Sequence, residues 1–261
     1  MSAAICSIII PVYNGAQYIS MTLESCLAQD YPLKEIILVD DHSTDNSLEI
    51  LHNYEGRYPE SIKLIRHSEN QGMVKGILTG IAQAKGRYIS IIGQDDTMLS
   101  NRISIQVASI EKYSVSMVCT NAFYLIDEKP TSNLVRPTWL SEGYVRREAF
   151  LFNNPVIGPT NLFNKDDFQE IQPSIFSFKN SMEWMLWLQF IGMKGIYYIA
   201  QPLIYYRRHS RNLSSSLFKT TEFKNYKKYC REVALRNSSV QEIIGAFAYK
   251  ILKKQPIRRT R

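Results

Sequence analysis

The chain has 261 residues, of which 45% are hydrophobic and 21% are charged, a composition typical of a globular protein with an apolar core. Its 31 basic and 24 acidic residues give a formal net charge of +7, which suits nucleotides, nucleic acids or anionic lipids without selecting one of them. No stretch approaches the ~20 apolar residues of a membrane-spanning helix and no signal peptide is recognisable, so we expect a protein that does not span a membrane.

Four short apolar runs rich in β-branched residues predict buried strands at residues 6–10, 35–39, 62–65 and 88–92. Three segments between them carry apolar residues at helical spacing: Ile19, Leu23 and Leu27; Leu48, Leu51 and Tyr54; and Val74, Ile77, Leu78 and Ile81. This alternation predicts an α/β fold in which helices flank a mostly parallel central sheet.

The alternation weakens after about residue 120. Residues 121–215 contain loops, a strand pattern at residues 203–206 and a tryptophan-rich helical pattern near residues 181–191. Residues 216–261 are basic and helical in pattern. We therefore divide the chain at residues 120 and 215, with the first two segments forming one domain.

The cysteines are far apart and lack the spacing of a metal site; they are Cys6, Cys26, Cys119 and Cys230. Two of them, Cys6 and Cys119, lie in apolar runs that resemble buried strands. We interpret them as reduced core thiols and expect a cytoplasmic protein.

Polar groups follow each of the four predicted strands. They are Tyr13-Asn14, Asp40-Asp41, Asn70-Gln71-Gly72 and Asp95-Asp96. Ligands of open parallel sheets bind beyond the carboxyl ends of the strands, so these four groups predict a binding site at one edge of the sheet.

The Asp95-Asp96 pair is the sharpest of these signals. Two adjacent carboxylates after an apolar strand form an oxygen-only cation site that suits Mg²⁺ or Mn²⁺ shared with a diphosphate. A turn or a helix cap is the alternative, because aspartate favours both. The position at the sheet edge favours the metal site.

Residues 40–45 place three carboxylates and two hydroxyl groups together. A strand-end aspartate can accept a hydrogen bond from a base or a ribose, and we assign this contact to Asp41. We expect Asp45 to cap the next helix and His42 to face solvent.

The first strand is followed by a proline and a flat aromatic residue, Pro11 and Tyr13, which suits stacking against a base. Neither a G-x-G-x-x-G motif nor a P-loop is present at this place. A dinucleotide-binding site and a P-loop nucleotidase are therefore disfavoured.

Together these motifs resemble the family 2 glycosyltransferases. The resemblance runs in order through Pro11-Val12-Tyr13-Asn14, Val39-Asp40-Asp41-His42-Ser43-Thr44-Asp45, Asn70-Gln71-Gly72, Gly86-Arg87-Tyr88-Ile89 and Gln94-Asp95-Asp96. It implies the GT-A fold, a nucleotide-diphospho-sugar donor, a Mg²⁺ or Mn²⁺ cofactor, a hydroxyl acceptor on a glycan or lipid-linked glycan, and inversion at the anomeric carbon. It also implies bacterial polysaccharide assembly, such as lipopolysaccharide or capsule, with residues 1–120 binding the donor and residues 121–215 the acceptor.

Site residues carried over from the resemblance fall into two groups. The donor-binding positions are Pro11, Tyr13, Asn14, Asp41, Asn70, Gly72 and Asp95, and the metal position is Asp96. One departure concerns the first residue of the family's Asp-x-Asp-Asp motif, which is Gly93 in this chain.

The second departure concerns the catalytic base, because the family commonly carries Glu-Asp where this chain has Glu183 before Trp184. Glu183 is a lone carboxylate in an apolar run, and apolar surroundings raise the pKa of a carboxyl group as a general base requires. We assign the base to Glu183; a glutamate placed by the helix dipole at a helix N-terminus is the alternative.

Residues 205–209 read Tyr-Tyr-Arg-Arg-His and resemble an aromatic-Arg-x-His element of the family. Guanidinium groups bind phosphate oxygens, so Arg207 and Arg208 are assigned to the donor diphosphate. His209 is assigned to the metal. Residues 158–161 resemble the family's acceptor-side loop.

The basic tail also carries an apolar helical face, formed by Val240, Ile243, Ile244, Phe247 and Ile251. Such a helix can lie on an anionic membrane surface, which would make the protein peripheral on the inner face of the plasma membrane, or dock on the catalytic domain. Both interpretations remain open.

The sequence bears on three other functions. A nucleotidyltransferase usually needs a glycine- and lysine-rich loop after the first strand, which this chain lacks. A catalytically weak or inactive nucleotide-sugar-binding module of the same fold stays open because of the two departures. A nucleic-acid partner is disfavoured because the basic residues of the tail have no interleaved aromatic face.

Overall fold

The computed structural model describes residues 4–135, 140–151, 153–171, 179–210, 212 and 219–239. Within them the chain forms ten strands and seven α-helices. The strands are β1 (Cys6–Val12), β2 (Lys34–Asp40), β3 (Ile62–Arg66), β4 (Tyr88–Ile91), β5 (Thr97–Met98), β6 (Met117–Ile126), β7 (Lys129–Leu134), β8 (Gly143–Tyr144), β9 (Leu162–Asn164) and β10 (Ile196–Arg208). The helices are α1 (Ile19–Leu27), α2 (Ser47–Arg57), α3 (Met73–Gln83), α4 (Arg102–Tyr113), α5 (Lys165–Gln169), α6 (Glu183–Gly192) and α7 (Thr221–Arg236).

One sheet holds all ten strands, in the order β3-β2-β1-β4-β9-β6-β10-β5, with β7 paired to β6 and β8 to β10. Strands β1 to β4 are parallel to one another, and β6 is parallel to β10. Strand β9 is antiparallel to both β4 and β6, so β6 and β10 run in the same direction as β4. The carboxyl ends of β1 to β4, β6 and β10 therefore lie at one edge of the sheet.

Helices cover both faces of this sheet, because successive side chains of a strand point to opposite faces. In β1, Ile8 and Ile10 pack with the helices α1, α2 and α4, while Ile9 packs with α3, α6 and α7. All three isoleucines are fully buried. This two-sided burial accounts for the near-continuous apolar runs of the parallel strands.

The predicted α/β class is confirmed, and the first four strands and three helices lie where the sequence predicts them. The tryptophan-rich helix is α6, and Cys6 and Cys119 are buried in β1 and β6 as predicted. The strand predicted at residues 203–206 was too short, because it is the second half of β10. The predicted division at residue 120 falls inside β6, so both halves contribute strands to one sheet.

The predicted C-terminal helix is present as α7, which buries Tyr226, Cys230 and Ala234. The apolar face predicted at residues 240–251 lies outside the described residues. Among the described helices, none combines the length and the apolar character that crossing a membrane requires.

Candidate active site

The polar groups predicted at the strand ends converge at one edge of the sheet. Parallel pairing places Val12 opposite Asp40 and Asp40 opposite Arg66, so the loops after β1, β2 and β3 start side by side. Direct hydrogen bonds join these loops to one another and to residues 93–96, which we call the carboxylate turn. The structure thus assembles the site from segments that are far apart in sequence.

Asp95 and Asp96 occupy different environments within the carboxylate turn. Asp96 is 2% exposed, and its Oδ1 accepts the backbone N–H of Arg207 at 2.9 Å. Burial, together with the neighbouring charge of Asp95, raises the pKa of Asp96 well above its ordinary value, against the lowering effect of Arg207 and Arg102. Asp95 is more accessible, with 20% of its side chain exposed.

Gly93 leaves space for both carboxylates. A Cβ at this position would lie 2.9 Å from Asp95 Oδ1 and 3.0 Å from Asp96 Oδ2, closer than ordinary contact. The departure from the family's Asp-x-Asp-Asp motif is therefore matched by the local packing: the side chains of Asp95 and Asp96 lie where a residue-93 side chain would begin.

His209 and Asn212 both reach Asp95 from the segment after β10. Asp95 Oδ2 lies 2.9 Å from His209 Nε2 and 2.9 Å from Asn212 Nδ2. The Asn212 side chain also accepts the N–H of His209 at 2.6 Å, which fixes the start of this segment. The family resemblance assigns both His209 and Asp96 to the metal, and in the structure His209 contacts Asp95. Asn212 contacts Asp95 as well and was not predicted.

The carboxylates of Asp95 and Asp96 offer oxygen ligands, the type that Mg²⁺ prefers. No cluster of three or more His, Cys, Asp or Glu side chains suited to a metal is found in the described part of the chain. Mg²⁺-type sites commonly use one or two carboxylates and take their remaining ligands from phosphate and water. Asp95 is the more accessible of the two carboxylates and has Asp96 and His209 beside it, so these residues are the ones that would hold such a cation.

The two predicted arginines lie on opposite sides of β10, because neighbouring strand residues alternate. Arg207 is 1% exposed, and its Nε donates to Asp95 O at 2.7 Å. Its Nη1 pairs with Glu128, and its guanidinium lies 4.6 Å from the centroid of the Tyr18 ring. Arg207 thus braces the carboxylate turn.

Arg208 is exposed and lies over the Tyr206 ring, 5.9 Å from its centroid. The structure therefore brings Arg207, but not Arg208, against the carboxylate turn. Period-two alternation along a longer predicted strand is the signal that would have separated the two residues.

Residues 13–16, which we call the first rim loop, are held by side chains from other segments. The N–H groups of Asn14, Gly15 and Ala16 donate to the side chains of the β2–α2 segment, and the acceptors are Ser43 Oγ, Ser47 Oγ and Asp45 Oδ2. The prediction that Asp45 caps α2 was wrong, because the N-cap residue is Asn46 and it makes no side-chain capping bond. Asp45 precedes the cap and accepts the N–H of Ser47 at 2.9 Å. Much of the polar motif at residues 40–47 therefore serves to shape this loop.

The first rim loop leaves its two predicted donor-binding side chains accessible. Tyr13 is 46% exposed, and Asn14 is exposed with a left-handed backbone (φ 51°). Pro11, at the end of β1, packs toward Gly76 of α3, where an added Cβ would lie 3.3 Å away. His42 is exposed, as predicted.

Asp41 is 3% exposed and organises the loop after β3. Its Oδ1 lies 2.8 Å from His67 Nδ1 and accepts the N–H of Gln71, and its Oδ2 accepts the N–H of Gly72 at 2.7 Å. Gly72 adopts φ +91°, a conformation that L side chains rarely reach.

The predicted donor residue Asn70 is exposed and donates to the backbone oxygen of Asp41 at 3.3 Å. Asp41, Asn70 and Gly72 thus form one unit. A ligand contact by Asp41 would use the remaining acceptor capacity of its carboxylate.

Glu183 is the first residue of α6, and it is partly buried. Burial raises its pKa, and no described residue donates a hydrogen bond to its carboxylate. Tyr226 of α7 accepts the N–H of Met185 at 3.0 Å, which braces the start of α6. A carboxyl group with a raised pKa and no internal partner is suited to accept a proton from a ligand.

The Glu183 carboxylate lies against the loop predicted to face the acceptor. A Cβ on Gly158 would be 2.4 Å from Glu183 Oε1. Asn161 fixes this loop to the end of β4, since its Nδ2 donates to Gly158 O at 2.5 Å and its Oδ1 accepts the N–H of Ile91 at 3.2 Å. Arg102 donates to the backbone oxygen of Asn161 as well. Glu183 therefore packs against a loop that is hydrogen-bonded to β4, the strand that precedes Asp95.

Comparisons with known proteins agree with this arrangement. Residues 7–172 match the model of Glycosyl transferase family 2. The glycosyltransferase RP339 of Rickettsia prowazekii is 31% identical over 223 residues, covering 83% of this chain and 68% of that protein. The Escherichia coli protein WfgD, named UDP-Glc:alpha-D-GlcNAc-diphosphoundecaprenol beta-1,3-glucosyltransferase, is 26% identical over 216 residues, covering 82% of this chain and 81% of WfgD.

Among solved structures, residues 1–349 of S. aureus TarS in complex with UDP-GlcNAc match with a TM-score of 0.74. The sequence identity is 18%, and the match covers 96% of this chain and 73% of that one, so this likeness concerns the fold alone. The family match extends over most of the chain and spans the first rim loop and the carboxylate turn. The chain therefore belongs to glycosyltransferase family 2, a family of transferase enzymes, and has the GT-A fold.

Proposed function

We propose that this chain transfers a sugar from a nucleotide-diphospho-sugar to a hydroxyl group, with inversion at the anomeric carbon and with Mg²⁺ or Mn²⁺ as cofactor. The observation that carries the proposal is the joint placement of an exposed aromatic loop, the Asp95–His209 pair and the Glu183 carboxylate at one edge of the sheet. Family membership supports a sugar-transfer reaction, and the UDP-GlcNAc bound to TarS supports the class of donor.

The donor lies between the first rim loop and the carboxylate turn in this proposal. Tyr13 offers its ring to the base, and the unit formed by Asp41, Asn70 and Gly72 closes the side of that pocket. Asp95, Asp96 and His209 are the residues that would hold the cation beside the diphosphate. The cation, when bound, offsets the negative charge that develops on the departing diphosphate.

Glu183 acts as the general base on the acceptor. Its carboxylate takes the proton of the acceptor hydroxyl as that oxygen bonds to the anomeric carbon. The bond from the anomeric carbon to the β-phosphate oxygen breaks with its electron pair, and the nucleoside diphosphate leaves. Attack from the face opposite the leaving group inverts the configuration.

Substitution of Glu183 by Gln tests this role because it keeps the shape and removes the proton acceptor. Loss of general-base catalysis typically costs about 10²- to 10⁴-fold, so we expect kcat to fall by that factor while the Kd of the donor stays within about threefold. The exposed Glu60→Gln variant is the matched control and should keep the wild-type rate. A Glu183→Gln enzyme with a near-normal rate would remove this residue from the mechanism.

We further propose a lipid-linked glycan as the acceptor and an anionic membrane surface as its location. The name of WfgD, a relative over most of the chain, specifies a diphosphoundecaprenol-linked acceptor. Helix α7 adds a predominantly basic surface, in which Lys224, Lys227, Lys228 and Arg231 lie beside Glu232 and Leu235. Such a face is attracted to anionic lipids at close range.

Vesicle co-sedimentation tests the membrane part of this proposal. We expect binding to vesicles that contain phosphatidylglycerol and none to pure phosphatidylcholine. Charge reversal at Lys224 and Lys228 should reduce the bound fraction while leaving donor binding intact. Equal recovery with both vesicle types would contradict the proposal.

A further inference from the structure

Gln94 links the carboxylate turn to the first rim loop by two hydrogen bonds. Its Oε1 accepts the N–H of Tyr13 at 2.8 Å, and its Nε2 donates to the backbone oxygen of Tyr13 at 3.0 Å. A side-chain amide can make this donor-and-acceptor pair in one orientation, because exchanging its two ends would place donor against donor and acceptor against acceptor. The contact therefore requires a glutamine in this position and orientation.

The first rim loop is built to admit this side chain. A Cβ on Gly15 would lie 2.4 Å from Gln94 Oε1 and 2.7 Å from its Cδ, so a glycine is needed where the amide passes. The backbone of Gln94 is fixed too, since the Thr22 hydroxyl lies 2.9 Å from Gln94 O and 2.8 Å from Asp96 O and shares its single hydrogen between these two acceptors. Both ends of the link are thus held in place.

The other contacts of the first rim loop act in a different direction. The N–H groups of residues 14–16 bond to side chains of the segment between β2 and α2, which begins with Asp41. Gln94 instead connects the loop to the turn that carries Asp95 and Asp96. It therefore sets the separation between the exposed Tyr13 ring and the two carboxylates.

We propose that Gln94 is a positioning residue that fixes this separation, so that the site recognises a base and a diphosphate held at the spacing of a nucleoside diphosphate. The inference rests on the proposed function, in which Tyr13 contacts the base and Asp95 and Asp96 hold the cation at the diphosphate. Gln94 acts through its two hydrogen bonds to the backbone of Tyr13.

Binding of two probes to the full chain tests the inference, namely the best-binding nucleoside diphosphate among UDP, GDP and dTDP, and inorganic pyrophosphate, each with Mn²⁺. Gln94→Met removes both hydrogen bonds at similar length, and we expect its Kd for the nucleoside diphosphate to rise by about 10- to 30-fold. The Kd for pyrophosphate should change by less than about threefold, because the carboxylates stay in place. Gln94→Glu, which retains an acceptor for the N–H of Tyr13, should lie between wild type and Gln94→Met.

Steady-state kinetics provides the second readout. Because Gln94 acts on binding alone, the donor KM should rise in Gln94→Met while kcat stays within about threefold. Gly15→Ala should reproduce the binding defect while residue 94 remains glutamine, because the added Cβ displaces the Gln94 amide from Tyr13. Gly56→Ala, at a position with nothing within 4 Å of the added Cβ, is the matched glycine control and should bind like wild type.

The outcomes separate this inference from the proposed function. A wild-type chain that binds none of the nucleoside diphosphates with Mn²⁺ would refute the proposed function. Normal binding by the wild type and by Gln94→Met would overturn the positioning role alone, and so would an equal loss of nucleotide and pyrophosphate binding. If Gln94→Met fails to fold, Gln94→Glu and Gly15→Ala decide the question by the same comparison.

Discussion

Gly158→Ala is a direct probe of the geometry around the proposed base. The added Cβ would lie 2.4 Å from Glu183 Oε1 and 3.0 Å from its Cδ, whereas ordinary contact begins near 3.4 Å. The atoms that must yield are at the far end of a flexible side chain, so the strain is relieved cheaply by moving the carboxylate. The substitution therefore displaces Glu183 while leaving the packing of the loop largely intact.

The size of the displacement sets the expected effect. The gap between 2.4 Å and ordinary contact requires the carboxylate to move by roughly 1 Å, and a misplacement of about 1 Å can cost a factor of about 100 in rate. We expect kcat at saturating donor and acceptor to fall by about 100-fold. The Tm should change by only a few degrees, and the donor Kd should stay close to the wild-type value, because neither the core nor the carboxylate turn is touched.

Gly56→Ala separates this effect from a general consequence of replacing glycine. Gly56 lies near the end of α2, where an added Cβ meets nothing within 4 Å. Alanine in a helix is favoured over glycine by about 0.5–1 kcal/mol, so this variant should be slightly more stable and fully active. A Gly158→Ala enzyme that keeps kcat within threefold of wild type would refute the placement of Glu183 as the base.

Three further predictions concern the pH dependence of stability, the two arginines and the metal. Burial raises the pKa of Glu183 above its ordinary value of 4.5, so the contribution of this carboxyl to stability is complete below that value and is lost as pH rises through the folded-state pKa. In calorimetry, Glu183→Gln should therefore raise Tm at pH 8 and leave it unchanged at pH 4, and an unchanged Tm at pH 8 would contradict the raised pKa. Arg207→Ala should lower the free energy of unfolding by about 2–4 kcal/mol and weaken donor binding, whereas substitution of the exposed Arg208 by Ala should change the free energy of unfolding by no more than about 0.5 kcal/mol. Chemical denaturation compares the two variants, and equal losses of stability would argue against distinct roles. His209→Ala should weaken donor binding with Mn²⁺ by about 10- to 100-fold and hardly affect donor binding in EDTA. Isothermal titration calorimetry measures the donor Kd under both conditions, and an unchanged dependence on Mn²⁺ would remove His209 from the metal site.

The strands of the donor half were predictable because local pattern and tertiary environment agree there. Strands β1, β2 and β4 are almost entirely buried, which forces apolar runs that stand out in sequence. The edge strand β3 buries Ile62 and exposes Lys63 and Arg66, yet its apolar residues still marked it as a strand. The observed bounds of these strands lie within two residues of the predicted ones.

Strand β10 was predicted too short because Gln201 and Pro202 interrupt its apolar run. The structure absorbs the interruption by register shifts against β6 on either side of Pro202. Proline lacks the N–H that a regular ladder needs, so such irregularities are the usual way to accommodate it. Because the predicted strand ended at residue 206, the sequence did not predict that the side chains of Arg207 and Arg208 point to opposite sides of β10.

The contacts that connect the site could not be predicted from sequence patterns. Gln94 and Tyr13 are separated by 81 positions, and Asn212 and Asp95 by 117. Polar side chains in loops obey no periodicity, and their partners depend on where the sheet places each loop. The sequence therefore identified the rim residues but not Gln94, Asn212 or Tyr18, which position them.

Titration calorimetry of a nucleoside diphosphate into wild type and Asp95→Asn, each with Mn²⁺ and with EDTA, tests the central claim most directly. We expect tight binding by wild type with Mn²⁺, and a loss of at least tenfold in affinity either when EDTA removes the metal or when Asp95 loses its charge. Binding of equal strength under all four conditions would contradict a cation held at the carboxylate turn, and the proposed mechanism with it.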